Sequence, residues 1–132
     1  AQVGNNGGAD VPIIRYADIL LTRAEALNEL NGPTVECFTL INQVRSRAGI
    51  APLTLVDAPT QDAFRDAILR ERGWEFVGEG KRREDMIRQG KFLSSALARG
   101  ISANNVTAGK VLFPIPQSEI DANKLCVQNP GY

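Results

Sequence analysis

The chain contains no histidine, and that absence excludes more than any residue it carries establishes. Histidine is the commonest general base near neutral pH, the partner of serine and cysteine nucleophiles, and the usual ligand of transition metals. Cysteine is scarce too: Cys37 and Cys126 are far apart and have no metal-ligand spacing. A bridge between them would close a long loop and stabilise by about 4 kcal/mol. The alternative is a buried free thiol at Cys37, which falls on an apolar helix face. Neither sign of charge is in excess, Lys+Arg and Asp+Glu being 15 each, so no net field draws the chain to nucleic acid or to an anionic membrane. No apolar run reaches the roughly 18 residues that cross a bilayer. The opening AQVGNNGGAD lacks the basic-then-apolar order of a signal peptide. It reads as a loop, and as a cut made inside a longer protein.

What is present builds helices. With 132 residues, 43% hydrophobic and 23% charged, the chain suits one globular domain or part of a larger one. Asp10 can cap a first helix, Pro12 suits its first turn and Gly32-Pro33 ends it. Ile13, Tyr16, Ala17, Leu20, Ala24 and Leu27 form one face, widened by Ile14, Ile19, Leu21 and Leu30 into an arc that needs neighbours on two sides. Arg23 falls inside that arc. A second helix runs from Thr34 as cap to Gly49, with Cys37, Phe38, Leu40, Ile41, Val44 and Ala48 inward and Arg45 between Phe38 and Ile41 on the wheel. The short turn at Gly32 implies an antiparallel helix hairpin. Its length and its small residues Ala24, Ala26 and Ala48 are those of one tetratricopeptide repeat.

A loop pinned by Pro52 and Pro59 follows, and Thr60 caps a third helix reaching about Val77. Gly78 and Gly80 break it, and a fourth helix runs from Lys81 to Gln89, stopped by Gly90. Phe92 to Arg99 makes a further helix, and ISANNVTAG an exposed loop. The tail LFPIPQSEIDANKLCVQNPGY carries Leu112, Phe113, Ile115 and Val127, which call for burial, with Pro114, Pro116 and Pro130 holding the backbone extended. Ser118 and Asp121 suggest one short helical turn within this strap.

The block from Glu71 to Gly90, ERGWEFVGEGKRREDMIRQG, mixes acids and bases among apolar residues. With Phe64 at zero on a wheel of about 100° per residue, Ala67, Ile68 and Trp74 cluster near it, and Glu71 and Glu75 fall in the same arc. Two carboxylates on a core-facing stripe must find partners, because an unpaired buried charge costs several kcal/mol. At i and i+4 their Cβ atoms lie about 6 Å apart, which overlaps the spacing of glycosidase carboxylate pairs. Such pairs approach a sugar from opposite sides, which two acids on one helix face do not. Arg23 and Arg45 on two other apolar faces, and Arg72, Arg82, Arg83 and Arg88 nearby, supply bidentate partners. A structural ion-pair network is therefore favoured over catalysis. Trp74, Tyr16 and Tyr132 are of the type that stacks on sugar rings, but Trp74 and Tyr16 lie on helix faces that should be packed, while Tyr132 at the chain end is open to either role. Gly78 and Gly80 do not follow a strand and cradle no phosphate. No catalytic residue, cofactor or metal is called for.

Four stretches, IIRYADILLTRAEALNELNG, INQVRSRAGI, AILRERGWEFVGEGKRREDMIRQG and LFPIPQSEIDANKLCVQNPGY, closely resemble, in that order, the C-terminal part of the SusD/RagB family. They cover about three-fifths of the chain from Val11 onward. The one departure is Asn123-Lys124, where the family usually has Asn-Pro. The resemblance implies an all-α fold, a SusD-like helical scaffold with a tetratricopeptide-like helix hairpin and long irregular loops. Residues 1–10 would be an N-terminal loop and 11–132 the family's C-terminal helical domain. It also implies a larger, non-enzymatic nutrient-binding lipoprotein of Bacteroidetes. Such a protein sits on the outward face of the cell outer membrane through an upstream lipid anchor, binds an oligo- or polysaccharide, and covers a SusC-type TonB-dependent transporter. Neither Cys37 nor Cys126, deep in the matching region, would be the lipidated cysteine.

The matching motifs are then scaffold, and no ligand-contacting residue carries over. Contacts with ligand or transporter would fall in the unmatched loops Gly49–Pro59 and Gly100–Gly109. The alternative is a tetratricopeptide-like protein-interaction module. The third reading is a glycoside hydrolase using Glu71 and Glu75.

Overall fold

A computed structural model describes residues 13–132, and among these residues every regular element is a helix. The chain divides into two compact units, one ending at Gly80 and the other spanning Lys81–Tyr132.

The first unit is built from α1 (Tyr16–Asn31), α2 (Val35–Arg47) and α3 (Gln61–Glu75). The cap and first-turn proline expected for α1, Asp10 and Pro12, lie outside the described residues. The helix starts later than the sequence suggests, after Arg15 in extended conformation, so Ile13 and Ile14 precede it. Thr34 and Thr60 cap α2 and α3 as expected, their hydroxyls accepting from the Cys37 N–H at 3.4 Å and the Ala63 N–H at 3.1 Å. α3 ends at Glu75, two residues short of the expected Val77. Phe76 leaves the helix to enter the core, and Gly78 and Gly80 then turn the chain at φ 81° and 75°.

The three helices pack with alternating direction. Arg15 before α1 and Arg47 at the end of α2 both reach Glu75, so α1 and α2 are antiparallel. Along α1 and α3, Asn28 meets Gln61, Glu29 meets Arg65, and Asp18 meets Arg72, a ladder of antiparallel contacts. Leu21, Ile41, Phe64, Ile68 and Cys37 are fully buried between them, and Phe38 meets Phe64 edge to face at 5.0 Å. Cys37 is a buried free thiol, and Cys126 is free as well.

The buried stripe of α1 is rotated from the expected one. Leu20, Leu21, Ala24, Glu25 and Asn28 are buried, while Tyr16, Ile19 and Leu30 are exposed, as are Ile13 and Ile14 before the helix. The apolar arc is wider than the surface that α2 and α3 cover, and amide pairing lets Asn28 enter the core. Its Nδ2 donates to the Gln61 carbonyl at 3.0 Å, and Gln61 Nε2 donates back to the Asn28 carbonyl at 2.7 Å. Trp74 is likewise 56% exposed instead of packed. It lies roughly 80° to one side of Phe64 on the wheel, whereas α3 buries the other side through Leu69 and Arg72.

In the second unit, α4 (Arg82–Arg88) and α5 (Phe92–Ala98) fall where expected, within one residue at each end. The following loop holds two short 3-10 turns, Ala103–Asn105 and Ala108–Val111, and α6 (Gln117–Ala122) is the short helix of the tail. The tail is not anchored by its apolar residues: Leu112, Phe113 and Val127 are exposed, and Ile115 only half-buried. Polar side chains hold it instead. Pro114 and Pro116 keep the backbone extended and its polar groups open. The Gln128 amide brackets Ile115, accepting from its N–H at 2.7 Å and donating to its carbonyl at 2.9 Å. Asn129 donates to the Phe113 carbonyl at 2.7 Å and the Tyr132 hydroxyl to that of Leu112 at 3.0 Å.

This return of the tail depends on Gly109, where an added Cβ would lie 2.0 Å from the Pro130 carbonyl oxygen. Gly109→Ala should therefore lift residues 128–132, at a cost of about 1–3 kcal/mol. The expected signature is faster amide exchange in those residues with an unchanged helical circular dichroism spectrum.

Candidate functional site

Glu71 and Glu75 are the acids whose pattern suggested chemistry, and α3 places both in the interior of the first unit. Glu71 is 3% exposed, and its Oε2 accepts from Arg45 Nη1 at 2.6 Å. Arg45 is fixed in turn by donating from Nε to the Ala51 carbonyl at 2.8 Å. Glu75 is held from two sides, by Arg15 Nη1 on Oε1 at 2.9 Å and by Arg47 on Oε2.

Arg15 does the most. Besides Glu75 it donates twice from Nε to the Glu79 carboxylate at 3.1 Å and from Nη2 to Glu79 Oε1 at 2.7 Å. A further bond from Nη2 takes the Glu75 backbone carbonyl at 3.0 Å, a group left open where α3 ends. Its guanidinium lies 5.1 Å from the Phe76 ring centroid, and that of Arg72 is at the same distance. Arg72, 6% exposed, pairs with Asp18 at 2.7 Å. The result is a continuous clasp across the ends of α1, α2 and α3.

The charges in this unit perturb one another. Hydrogen bonds donated to Glu79 and then to Glu75 hold the Arg15 guanidinium firmly in its charged form, above its ordinary range. The bond from Arg65 lowers the Glu29 carboxyl below its usual value, and Glu29 raises Arg65. In the loop before α3, the Thr54 hydroxyl and N–H hold the Asp57 carboxyl low.

Of the arginines the sequence offered as partners, Arg45 takes the expected place, but Arg23 does not. It turns outward, 62% exposed, to Glu36 on α2. Arg88 pairs with Asp85 at 2.9 Å. Arg83 donates to the Val111 carbonyl at 2.9 Å and lies 4.0 Å from the Phe113 ring centroid. Arg15 and Arg47 were missed. The available signal was position: one precedes α1 and the other ends α2, the two ends an antiparallel hairpin brings together.

Chemically, the clasp offers acids already bound to guanidinium groups and no nucleophile beside a base. Among the described residues no cluster of acids and cysteines suits a metal ion, and no helix is long and apolar enough to cross a membrane. Beside the clasp, a cleft of about 280 Å³ lies between α1 and α2, lined by Tyr16, Leu20, Gln43 and Arg47 among others. A second cleft, of about 210 Å³, lies between α5 and the 101–110 segment of the second unit.

The family model described as the SusD family matches residues 2–132. The chain belongs to the SusD family. It is 38% identical over 129 residues to SusD-like protein P25 of Formosa agariphila, covering 91% of this chain and 24% of that protein. It is 31% identical over 128 residues to the starch-binding protein SusD of Bacteroides thetaiotaomicron, covering 93% and 22%. The solved structure of surface glycan-binding protein A from Bacteroides thetaiotaomicron superposes with a TM-score of 0.71 at 39% identity, over 89% of this chain and 24% of that one. The SusD-family chain thus spans about a quarter of the length of these relatives. The all-α SusD fold is the one the sequence motifs implied.

Two stability measurements separate the buried clasp from surface pairs. Glu71→Gln strands Arg45, whose side chain is 13% exposed, and should cost about 3–5 kcal/mol in urea denaturation. Glu36→Gln, which parts the exposed pair with Arg23, should cost at most about 1 kcal/mol. Equal losses would mean that the clasp does not anchor the fold.

The pH dependence has a defined sign. Glu29 and Asp57 lie below ordinary values of 4.5 and 3.8 when folded. Their stabilisation is complete above those values and is lost as the pH falls through the lower folded ones. Acid unfolding followed by circular dichroism should be less steep in Glu29→Gln.

Proposed function

We propose that this SusD-family region, residues 11–132, is the helical scaffold of a non-enzymatic nutrient-binding protein whose ligand is a glycan. The observation that carries the reading is the similarity, over about nine-tenths of the chain, to a starch-binding protein and a surface glycan-binding protein. Family resemblance extends the proposal to the cell surface: an outward-facing position on the outer membrane through an upstream lipid anchor, beside a SusC-type TonB-dependent transporter.

Two structural features support a scaffold role. Ile13, Ile14, Tyr16, Ile19 and Leu30 form an apolar flank that α2 and α3 leave exposed, as befits a region about a quarter the length of its relatives. Glu71 and Glu75 of α3 are committed to Arg15, Arg45 and Arg47, an arrangement that holds helices together.

The test is calorimetric titration of the protein with a panel of neutral and acidic polysaccharides, with reducing ends assayed in the same samples. At least one polysaccharide should bind and none should be cleaved. Failure of every polysaccharide to bind, with retention of a peptide partner, would favour the protein-interaction module. Hydrolysis that disappears in Glu75→Gln while the fold survives would favour the glycoside hydrolase.

A further inference from the structure

The cleft of about 210 Å³ in the second unit has a lining unlike that of the clasp. Phe92, Leu93, Ala96, Ile101 and Val106 make an apolar floor, and Arg99, Lys110 and Asn105 supply the polar rim. No acidic side chain lines it. Its volume lies below the roughly 300–1,000 Å³ of drug-sized sites and suits a single ring.

Two cations face this space without a carboxylate between them. Arg99 caps the end of α5 and is exposed. Among the described residues it is the arginine whose guanidinium has no hydrogen bond, ion pair or ring contact; the others are engaged with acids, carbonyls or aromatic rings. Lys110 is held in place, its Nζ donating to the Gly131 carbonyl at 3.2 Å and lying 3.9 Å from the Tyr132 ring centroid. An ammonium has three N–H donors, so one such bond leaves others for a ligand.

The walls are fixed before any ligand arrives. Arg83 donates to the Lys110 and Val111 carbonyls at 3.3 and 2.9 Å and stacks between the Phe92 and Phe113 rings, at 5.2 and 4.0 Å. That staple sets the 110–111 backbone against α5. A preformed apolar floor under two cations favours a ligand with a ring on one side and an anionic group on the other.

We propose that this cleft binds one acidic sugar unit, its ring against the apolar floor and its carboxylate or sulfate oxygens on Arg99 and Lys110. The choice of a sugar rests on the glycan-binding reading above; the choice of an acid rests on Arg99 and Lys110.

The experiment is a nuclear magnetic resonance titration of the 132-residue chain with glucuronate, glucose 6-sulfate, glucose, acetate and inorganic sulfate. Glucuronate, glucose 6-sulfate or both should shift the amides of residues 99–106 saturably, and bind at least about tenfold more tightly than glucose or either free anion. Whichever sugar binds identifies the acid as carboxylate or sulfate ester. Arg99→Gln should weaken that binding roughly tenfold while the remaining spectrum stays in place, since the Arg99 guanidinium holds no hydrogen bond or ion pair among the described residues. Equal binding of glucose, equal binding of the free anions, no shift at these amides, or an unchanged affinity in Arg99→Gln would each overturn the proposal. A polysaccharide that binds while neither acidic sugar shifts these amides overturns the cleft and leaves the glycan-binding reading intact. Glucuronate binding here, with no polysaccharide bound, does the reverse.

Discussion

The Arg15 guanidinium is the constraint on which the first unit depends. It precedes α1 and bonds the carboxylate and the backbone carbonyl of the last residue of α3, and it grips Glu79 in the turn beyond. Arg47 closes the other side of Glu75 from α2. One acid therefore fixes the relative register of three helices. An apolar interface tolerates small sliding, because the hydrophobic effect is non-directional. A bidentate guanidinium pair does not, because its geometry is planar and its misalignment leaves a buried charge unsatisfied. The Asn28–Gln61 amide exchange and the Glu29–Arg65 pair do the same at the opposite end of α1 and α3. Apolar burial drives the three helices together, and polar contacts at both ends decide how they align.

Most of the helices could be read from the sequence because their ends are chemically marked. Thr34, Thr60, Gly32 and Gly90 bound elements within a residue or two of where the structure has them. What could not be read is which part of a wide apolar arc is covered. Periodicity locates an apolar face but does not say how far a neighbour reaches around it. Thus Tyr16, Ile19 and Trp74 share an arc with core residues and yet stand in the open. Glu25 and Asn28, polar by type, are buried on the edge nearest α2 and α3. Partner choice among charges was half legible for a related reason. Arg45 sits between core positions of α2 and has to reach a buried acid, whereas Arg23 sits on the α1 edge that no helix covers and so is free to meet Glu36 in solvent.

The tail shows the same limit in another form. Its apolar residues promised burial, but Pro114 and Pro116 keep the segment extended. An extended strand without a sheet must satisfy its backbone polar groups through side chains. Gln128, Asn129 and Tyr132 supply them, and the close approach of Pro130 to Gly109 lets them reach. Nothing in hydrophobic periodicity encodes such a contact. The strap is specified by amides, a tyrosine and a glycine, and its apolar side chains are left outward.

The cations of the clasp and those near the second unit's cleft are partnered differently. In the first unit the buried and half-buried guanidinium groups face carboxylates, so their charge is neutralised locally and contributes to alignment. In the second unit Arg83 and Lys110 bind backbone carbonyls and lie over aromatic rings, partners that leave their positive charge uncancelled. Arg99 adds a third cation, whose guanidinium has no hydrogen bond or ion pair among the described residues. A fold gains nothing in stability from gathering like charges around an apolar hollow, since they repel one another and the hollow remains open to water. An anionic group would relieve that repulsion, and a sugar ring would cover the apolar floor. The family's recognisable motifs hold the helices. The loop between α5 and the tail, which matches none of them, carries the surface whose charge is still unanswered.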